Sequence, residues 1–310
     1  MVAPAHCVEI ATGVFRIDLG FAGMPDVIVA YLIGNDDDWI LFETGPTTTL
    51  SALESGVAAA GVSFDQIRRI VVSHIHLDHA GAAGVLLRNH PHLRLAVHPV
   101  GAPHMAAPEK LVNSAARIYG DQMDTLWGEI APIPADRIDT LADGDRFTVG
   151  NHDLLVRHAA GHASHHLILH DATTNVLFTG DVAGVRIPGT RFVTGATAPP
   201  ELDPVAWETS VNIMRELNPG KLALTHAGVF EDVQEHLDQV MPVTNHFIDL
   251  ARDTFTAGGD LQAVIAALQE FLRQSVDRDE VTYNKLELAD PTFVSALGLQ
   301  RYLRKRGDIA

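Results

Sequence analysis

Ser73-His74-Ile75-His76-Leu77-Asp78-His79 places three imidazoles and a carboxylate within a few positions of one another. The run follows Ile67-Arg68-Arg69-Ile70-Val71-Val72, whose β-branched content predicts a strand. All four side chains therefore leave one strand end and the turn beyond it. Neutral imidazole suits zinc, iron, copper or nickel, and a carboxylate oxygen suits most divalent ions. His74 and His76, two apart, share one face of an extended segment, whereas Asp78 and His79 sit where a helix begins. The cluster points in two directions and can feed two metals.

Three later positions carry a ligating residue type at a predicted strand end. His162 lies in His158-Ala159-Ala160-Gly161-His162-Ala163-Ser164-His165-His166, Asp181 in Leu177-Phe178-Thr179-Gly180-Asp181, and His226 in Leu224-Thr225-His226-Ala227-Gly228. With these added to H-x-H-x-D-H, the chain resembles the metallo-β-lactamase-fold hydrolase superfamily, which includes glyoxalase II-type thioesterases, lactonases and phosphodiesterases. The match is spread over most of residues 10 to 228, in the family's order.

The resemblance implies an α/β (α+β) fold, an αββα sandwich with its ligands on loops at one edge of the two sheets. Residues 1–228 would form the catalytic domain and 229–310 a helical C-terminal extension. It further implies that His74, His76 and His162 bind one metal, that Asp78, His79 and His226 bind the other, and that Asp181 bridges them. Asp78 and Asp181 would be the catalytic carboxylates. The expected cofactor is a pair of divalent ions, zinc first, with iron or manganese able to occupy the same ligands. Two ions about 3.5 to 4 Å apart can share a hydroxide and polarise a substrate oxygen. The nucleophile is then water, and none of the serines sits in a G-x-S-x-G elbow.

The expected activity is hydrolysis of a small ester, lactone or thioester. With Asp181 as a bridging carboxylate, the resemblance implies the glyoxalase II and lactonase-like branch, apart from the true β-lactamases. Quorum-quenching lactonases usually carry a tyrosine three residues after the bridging aspartate, where this chain has Gly184. The alternatives are a phosphodiesterase of the same fold and a persulfide dioxygenase-like oxidoreductase with a single iron in the first site. A non-catalytic metal-binding role is the third reading.

With 310 residues, 46% of them hydrophobic, the chain can bury a full core. Its formal charge of -17 repels phosphate backbones, so a small-molecule substrate is expected and nucleic acid is not. The one basic cluster, Arg301, Arg304, Lys305 and Arg306, is read as a solvated helix end favoured by the helix dipole. A single cysteine, Cys7, rules out an internal disulfide framework and makes the cytoplasm the expected compartment. No secretory signal opens the sequence and no stretch approaches the roughly 18 apolar residues of a membrane span, so no membrane partner is expected.

Strands are expected at residues 13–19, 27–33, 39–42, 67–72, 93–97, 147–149, 153–158, 166–170, 176–179 and 221–225. Helices are expected at 47–60, 79–89, 204–217, 231–256, 260–275 and 291–305. Residues 103–130 form a long polar connection with helical patches, a candidate lid. The helical tail can cover the pocket or make a homodimer contact. Histidines 6, 90, 92, 98, 104, 152, 158, 165, 166, 170, 236 and 246 are read as ordinary surface or core groups, with His165 and His166 open to supporting the site. Glu43, where the family usually has Asp, is read as a turn residue. Phe21 and Met24 are candidate apolar contacts to substrate, and Tyr119, Met123 and Trp127 a packing stripe.

Overall fold

The computed structural model describes residues 7–309; His6 lies outside them. Strands β1 (Cys7–Ala11), β2 (Val14–Asp18), β3 (Val29–Asn35), β4 (Asp38–Phe42), β5 (Ile67–Val71), β6 (Arg94–Val97) and β7 (Ile138–Thr140) form one sheet in that order. Its first half is antiparallel and its second half, from β4 to β7, is parallel. The second sheet has the order β13-β12-β11-β10-β9-β8. Its strands are β8 (Arg146–Val149), β9 (His152–His158), β10 (Leu167–Asp171), β11 (Val176–Gly180), β12 (Lys221–Leu224) and β13 (Gly228–Phe230).

Period-two alternation sends side chains to opposite faces of each strand. Val29, Tyr31 and Ile33 of β3, Ile40 and Phe42 of β4, Leu167 and Leu169 of β10, and Val176 and Phe178 of β11 meet in a core between the sheets. Their neighbours Ala30, Leu32, Leu41, Ile168 and Leu177 face the helices in a second core. Both faces are dry, so these strands read as continuous apolar runs. The Tyr31 hydroxyl donates to Leu224 O at 2.6 Å, tying β3 to β12, and its ring packs edge-on against Phe178 at 5.2 Å. This is the αββα sandwich with its helical extension.

The first-half helices are α1 (Leu50–Ala59), α2 (Leu77–Ala80), α3 (Ala83–Asn89), α4 (Ala102–Ala106), α5 (Glu109–Tyr119) and α6 (Met123–Leu126). They are followed by α7 (Pro204–Leu217), α8 (Val233–Thr256), α9 (Leu261–Ser275), α10 (Glu280–Ala289) and α11 (Thr292–Arg306). Asp203 caps α7 by accepting from the amides of Val205 and Ala206, and Pro204 fills its first turn.

The structure departs from the sequence reading in identifiable places. The helix expected at 79–89 is two helices, because the Ala82 amide turns aside to Gly45 O at 2.9 Å and breaks the ladder. The loose hairpin loop at 34–38 is a two-residue turn, with Asp36 at φ 50. Strands β1, β7 and β13, five residues long or fewer, and helix α10 were not expected. Strand β7 gains its pairing from β6, and the last turn of α10 is buried through Leu286 and Ala289, so tertiary contacts rather than local pattern hold both.

Candidate metal centre

Every expected ligand lies just beyond a strand end or in the first turn of a helix. His74 and His76 follow β5, Asp78 and His79 open α2, His162 follows β9, Asp181 follows β11 and His226 follows β12. The β11 turn depends on Gly180, which has φ 51; a Cβ there would meet Ser73 Oγ at 2.4 Å and His166 Nε2 at 2.6 Å. Glycine is therefore the residue that delivers Asp181 to the site.

The side chains gather in two sets, His74, His76 and His162 in one, Asp78, His79, Asp181 and His226 in the other. Within each, one ligating atom per residue lies within 4.8 Å of the others. In the first, His76 Nδ1 lies 2.9 Å from His74 Nε2 and 3.0 Å from His162 Nε2. In the second, Asp78 Oδ2 lies 3.1 Å from His226 Nε2 and 3.6 Å from His79 Nε2. Asp181 is divided between them. Its Oδ2 lies 3.5 Å from His162 Nε2 and 3.9 Å from His74 Nε2, and its Oδ1 lies 3.2 Å from His79 Nε2 and 3.5 Å from His226 Nε2.

Contacts behind the imidazoles fix their tautomers. His162 Nδ1 donates to Ala196 O at 2.7 Å and His226 Nδ1 to Val27 O at 2.9 Å, which leaves a lone pair on each Nε2. His79 Nδ1 donates to Glu43 Oε1 at 3.1 Å with the same result. Glu43 also accepts from the Ser73 amide at 3.2 Å and the Thr225 hydroxyl at 3.3 Å, and it is fully buried with φ 64. The turn reading of Glu43 was thus incomplete: the strained turn aims a buried carboxylate at His79. His166 Nε2 accepts the Asp181 amide at 3.1 Å, holding that turn from behind.

The donor set fits divalent cations. His79 Nε2 and Asp181 Oδ1 are buried and face each other at 3.2 Å without a well-aligned hydrogen bond to one another or to any other group, an expensive state that an ion between them relieves. Burial, reinforced by the neighbouring imidazoles of His79 and His76, holds His74 well below its usual pKa. Burial and His162 do the same to His76. Both therefore offer lone pairs at neutral pH. In the second set burial opposes ionisation, but charge outweighs it. Asp181, Asp78 and Glu43 hold His79 well above the usual value, and Asp181 and Asp78 raise His226. Reciprocally, His79 and His226 bring Asp78 to about 2 and Asp181 well below the usual carboxylate range. This set holds negative charge that must be met by cations, as protons or as metal.

A cavity of about 310 Å³ opens on the centre, with His76, Asp78, His162 and Asp181 in its wall. Its apolar sides come from Ile75 and Leu77 beside the ligands, from Leu111, Ile118, Tyr119 and Trp127 of the 103–130 segment, and from Val294 of the tail. Tyr119 packs edge-on against Trp127 at 5.0 Å, so two members of the expected packing stripe are also pocket wall. Phe21 instead stacks behind Trp127 at 5.6 Å, and neither it nor Met24 lines the cavity. His104 and His165 do line it, whereas His152, His158 and His236 bond structural partners elsewhere.

Asp290, at the end of α10, also lines the cavity and accepts from Ser295 Oγ at 3.0 Å. Burial pushes its carboxyl up to about 8, with Asp181 and Glu287 adding to the rise and Ser295 and His226 opposing it. A carboxyl raised in the folded state adds stability that is fully present below about pH 4 and is lost as pH climbs to about 8. Asp290→Asn lacks that loss. In metal-free protein its Tm relative to the parent is expected to rise by several degrees between pH 5 and pH 9, at about 2–4 °C per kcal/mol. A Tm difference that does not change with pH would contradict the assignment.

The model of the metallo-beta-lactamase superfamily matches residues 23–226, more than half of the chain and a range that contains these seven residues. The chain belongs to this superfamily. It is similar to the metallo-beta-lactamase fold-containing protein of Sulfurisphaera tokodaii, 25% identical over 235 residues, 74% of this chain and 84% of that one. It is also similar to the acyl-coenzyme A thioesterase MBLAC2 of Bos taurus, 26% identical over 200 residues, 56% of this chain and 64% of that protein. A beta-lactamase domain protein from Burkholderia ambifaria has the same fold, with a TM-score of 0.66 and 18% identity over 99% of this chain and 91% of that one. That likeness of fold covers the helical tail as well as the sandwich. Among the described residues no helix is long and apolar enough to cross a membrane.

Proposed function

We propose that this protein is a dinuclear metal-dependent hydrolase acting on a small ester, lactone or thioester, with acyl thioesters first. The observation that carries the reading is the division of Asp181, one oxygen toward each set. His74, His76 and His162 would hold one ion, Asp78, His79 and His226 the other, and Asp181 both. Imidazole and carboxylate donors suit zinc best, with iron or manganese fitting the same set. When bound, such a pair supplies Lewis acidity and a water acidified toward neutrality.

The chain's own groups do the rest. Asp181 keeps the two sets in register. Asp78 faces the cavity, and while its Oδ2 would join His226 Nε2 in holding the ion, its Oδ1 would accept the proton of the attacking water. Ile75, Leu77, Trp127 and Val294 exclude bulk water from the acyl group, which strengthens every charge interaction at the centre. We take residues 1–228 as the catalytic domain and 229–310 as the extension, whose Ala289, Asp290, Pro291 and Val294 complete the pocket. With one cysteine, the chain suits a reducing compartment such as the cytoplasm.

Two observations order the substrates. Gly184 has φ 77, and a Cβ there would meet Thr194 O at 2.4 Å, so the position has no room for the tyrosine of the lactonases. Relatives named as acyl-coenzyme A thioesterases favour the thioester. Turnover of an aryl ester, an aliphatic lactone, an acyl thioester and a phosphodiester is to be measured anaerobically, beside oxygen uptake with glutathione persulfide. The expected result is oxygen-independent hydrolysis, fastest for the thioester. Iron-dependent oxygen uptake with no hydrolysis of any of the four would replace the hydrolase reading with the oxygenase one.

A further inference from the structure

Beside the cavity over the metal ligands lies a second, more open one of about 900 Å³. The two share Ser114, Ile118, Pro199 and Pro200 as lining, so the cavities adjoin. Their linings differ in kind. The second holds Arg117 from α5 with Arg301, Arg304 and Lys305 from α11, and no carboxylate. This is unexpected in a chain with 39 acidic and 22 basic residues. Glu201, whose charge interacts with Lys305, lines the first cavity instead and accepts the Ser164 amide at 2.8 Å.

The position of these cations is set by packing. Leu299 and Leu303 bury one face of α11, and Arg301, Arg304 and Lys305 are left exposed on the other side. Arg301 Nε donates to Pro200 O at 3.1 Å, which anchors its guanidinium on the shared wall. The reading of this cluster as a mere solvated helix end is therefore too narrow. Arginine forks and a lysine point charge facing one open groove match phosphate oxygens. A local positive patch in an otherwise negative field also selects where an anion docks.

We infer that this groove binds the phosphates of a thioester's leaving group, so that the substrate is an acyl thioester of a small pyrophosphate-bearing thiol, coenzyme A being the chemical type. The inference rests on the thioesterase reading of the metal centre. The acyl group and thioester occupy the first cavity, the arm of the carrier crosses at Ser114 and Pro199, and the phosphates lie among Arg117, Arg301, Arg304 and Lys305. In the reaction the C–S bond breaks, a C–O bond to water forms, and the products are a carboxylate, a proton and the free thiol. No redox partner enters.

Binding separates this claim from the catalytic one. Calorimetric titration of the metal-loaded protein with coenzyme A and with pantetheine, which lacks the phosphates, is expected to give a Kd at least tenfold lower for coenzyme A. That advantage should shrink as salt is raised. Arg117→Glu combined with Lys305→Glu, both on exposed positions, should weaken coenzyme A at least tenfold, with unchanged Tm showing that the fold is intact. Should that pair destabilise the chain, Arg117→Gln with Lys305→Gln removes the charge without reversing it and should still weaken coenzyme A severalfold. Equal affinity for coenzyme A and pantetheine, or a folded charge variant that binds coenzyme A as the parent does, overturns the groove. Phosphate-dependent binding without hydrolysis of any acyl thioester would uphold the groove and defeat the thioesterase reading.

Discussion

Asp181→Ala is expected to lower kcat about a thousandfold, a loss of about 4 kcal/mol of transition-state stabilisation. It should also reduce the bound metal from two ions per chain toward one. The reason is its geometry: Oδ2 is 3.5 Å from His162 and Oδ1 3.2 Å from His79, so its removal takes a ligand from each set at once. The fold should survive, because the contact that shapes the turn is the Asp181 amide on His166, which alanine keeps. Circular dichroism, metal analysis and turnover on one sample decide it. Near-parental activity would show that Asp181 does not join the two sets.

The second large effect falls on a residue outside the ligand set. Glu43→Ala leaves the Ser73 amide, the Thr225 hydroxyl and His79 Nδ1 without their acceptor in a buried site. An abandoned buried donor costs about 1–3 kcal/mol, and loss of support behind a metal-binding histidine typically costs about 10–100-fold in affinity or activity. The variant should therefore melt several degrees lower and lose the second metal at chelator concentrations the parent tolerates. Glu43→Gln retains an acceptor oxygen without the charge and should recover much of the stability but less of the metal affinity. If Glu43→Gln kept the parent's metal affinity, the charge on Glu43 would have no part in orienting His79.

The proposed ligand positions could be picked out as candidates because most stand just past a strand whose apolar run is plain, as with Ile67–Val71 before His74 and Val176–Gly180 before Asp181. Most strands could be read for the same reason, as where Val29, Tyr31 and Ile33 alternate with Ala30 and Leu32 and both faces are apolar, while their arrangement as a sandwich was implied by the resemblance. Glu43 could not be assigned, since its role depends on His79 and Thr225, which are 36 and 182 residues away in sequence. The same holds for Tyr119 and Trp127. With Met123 between them their four-residue steps are those of any buried helical stripe, and only the tail, bringing Val294 to the same cavity, makes them walls of the site. Helix α10 gave little periodic signal because its buried residues, Tyr283, Leu286 and Ala289, are interleaved with charged ones.

In the proposed reaction two ions act together on a water. Stripped protein is to be reloaded with zinc in measured steps while anaerobic thioester turnover is followed in the same samples. Activity is expected to develop only as the second equivalent binds and to reach a plateau at two ions per chain. A plateau at one ion per chain, with the second equivalent adding nothing, would contradict that reaction.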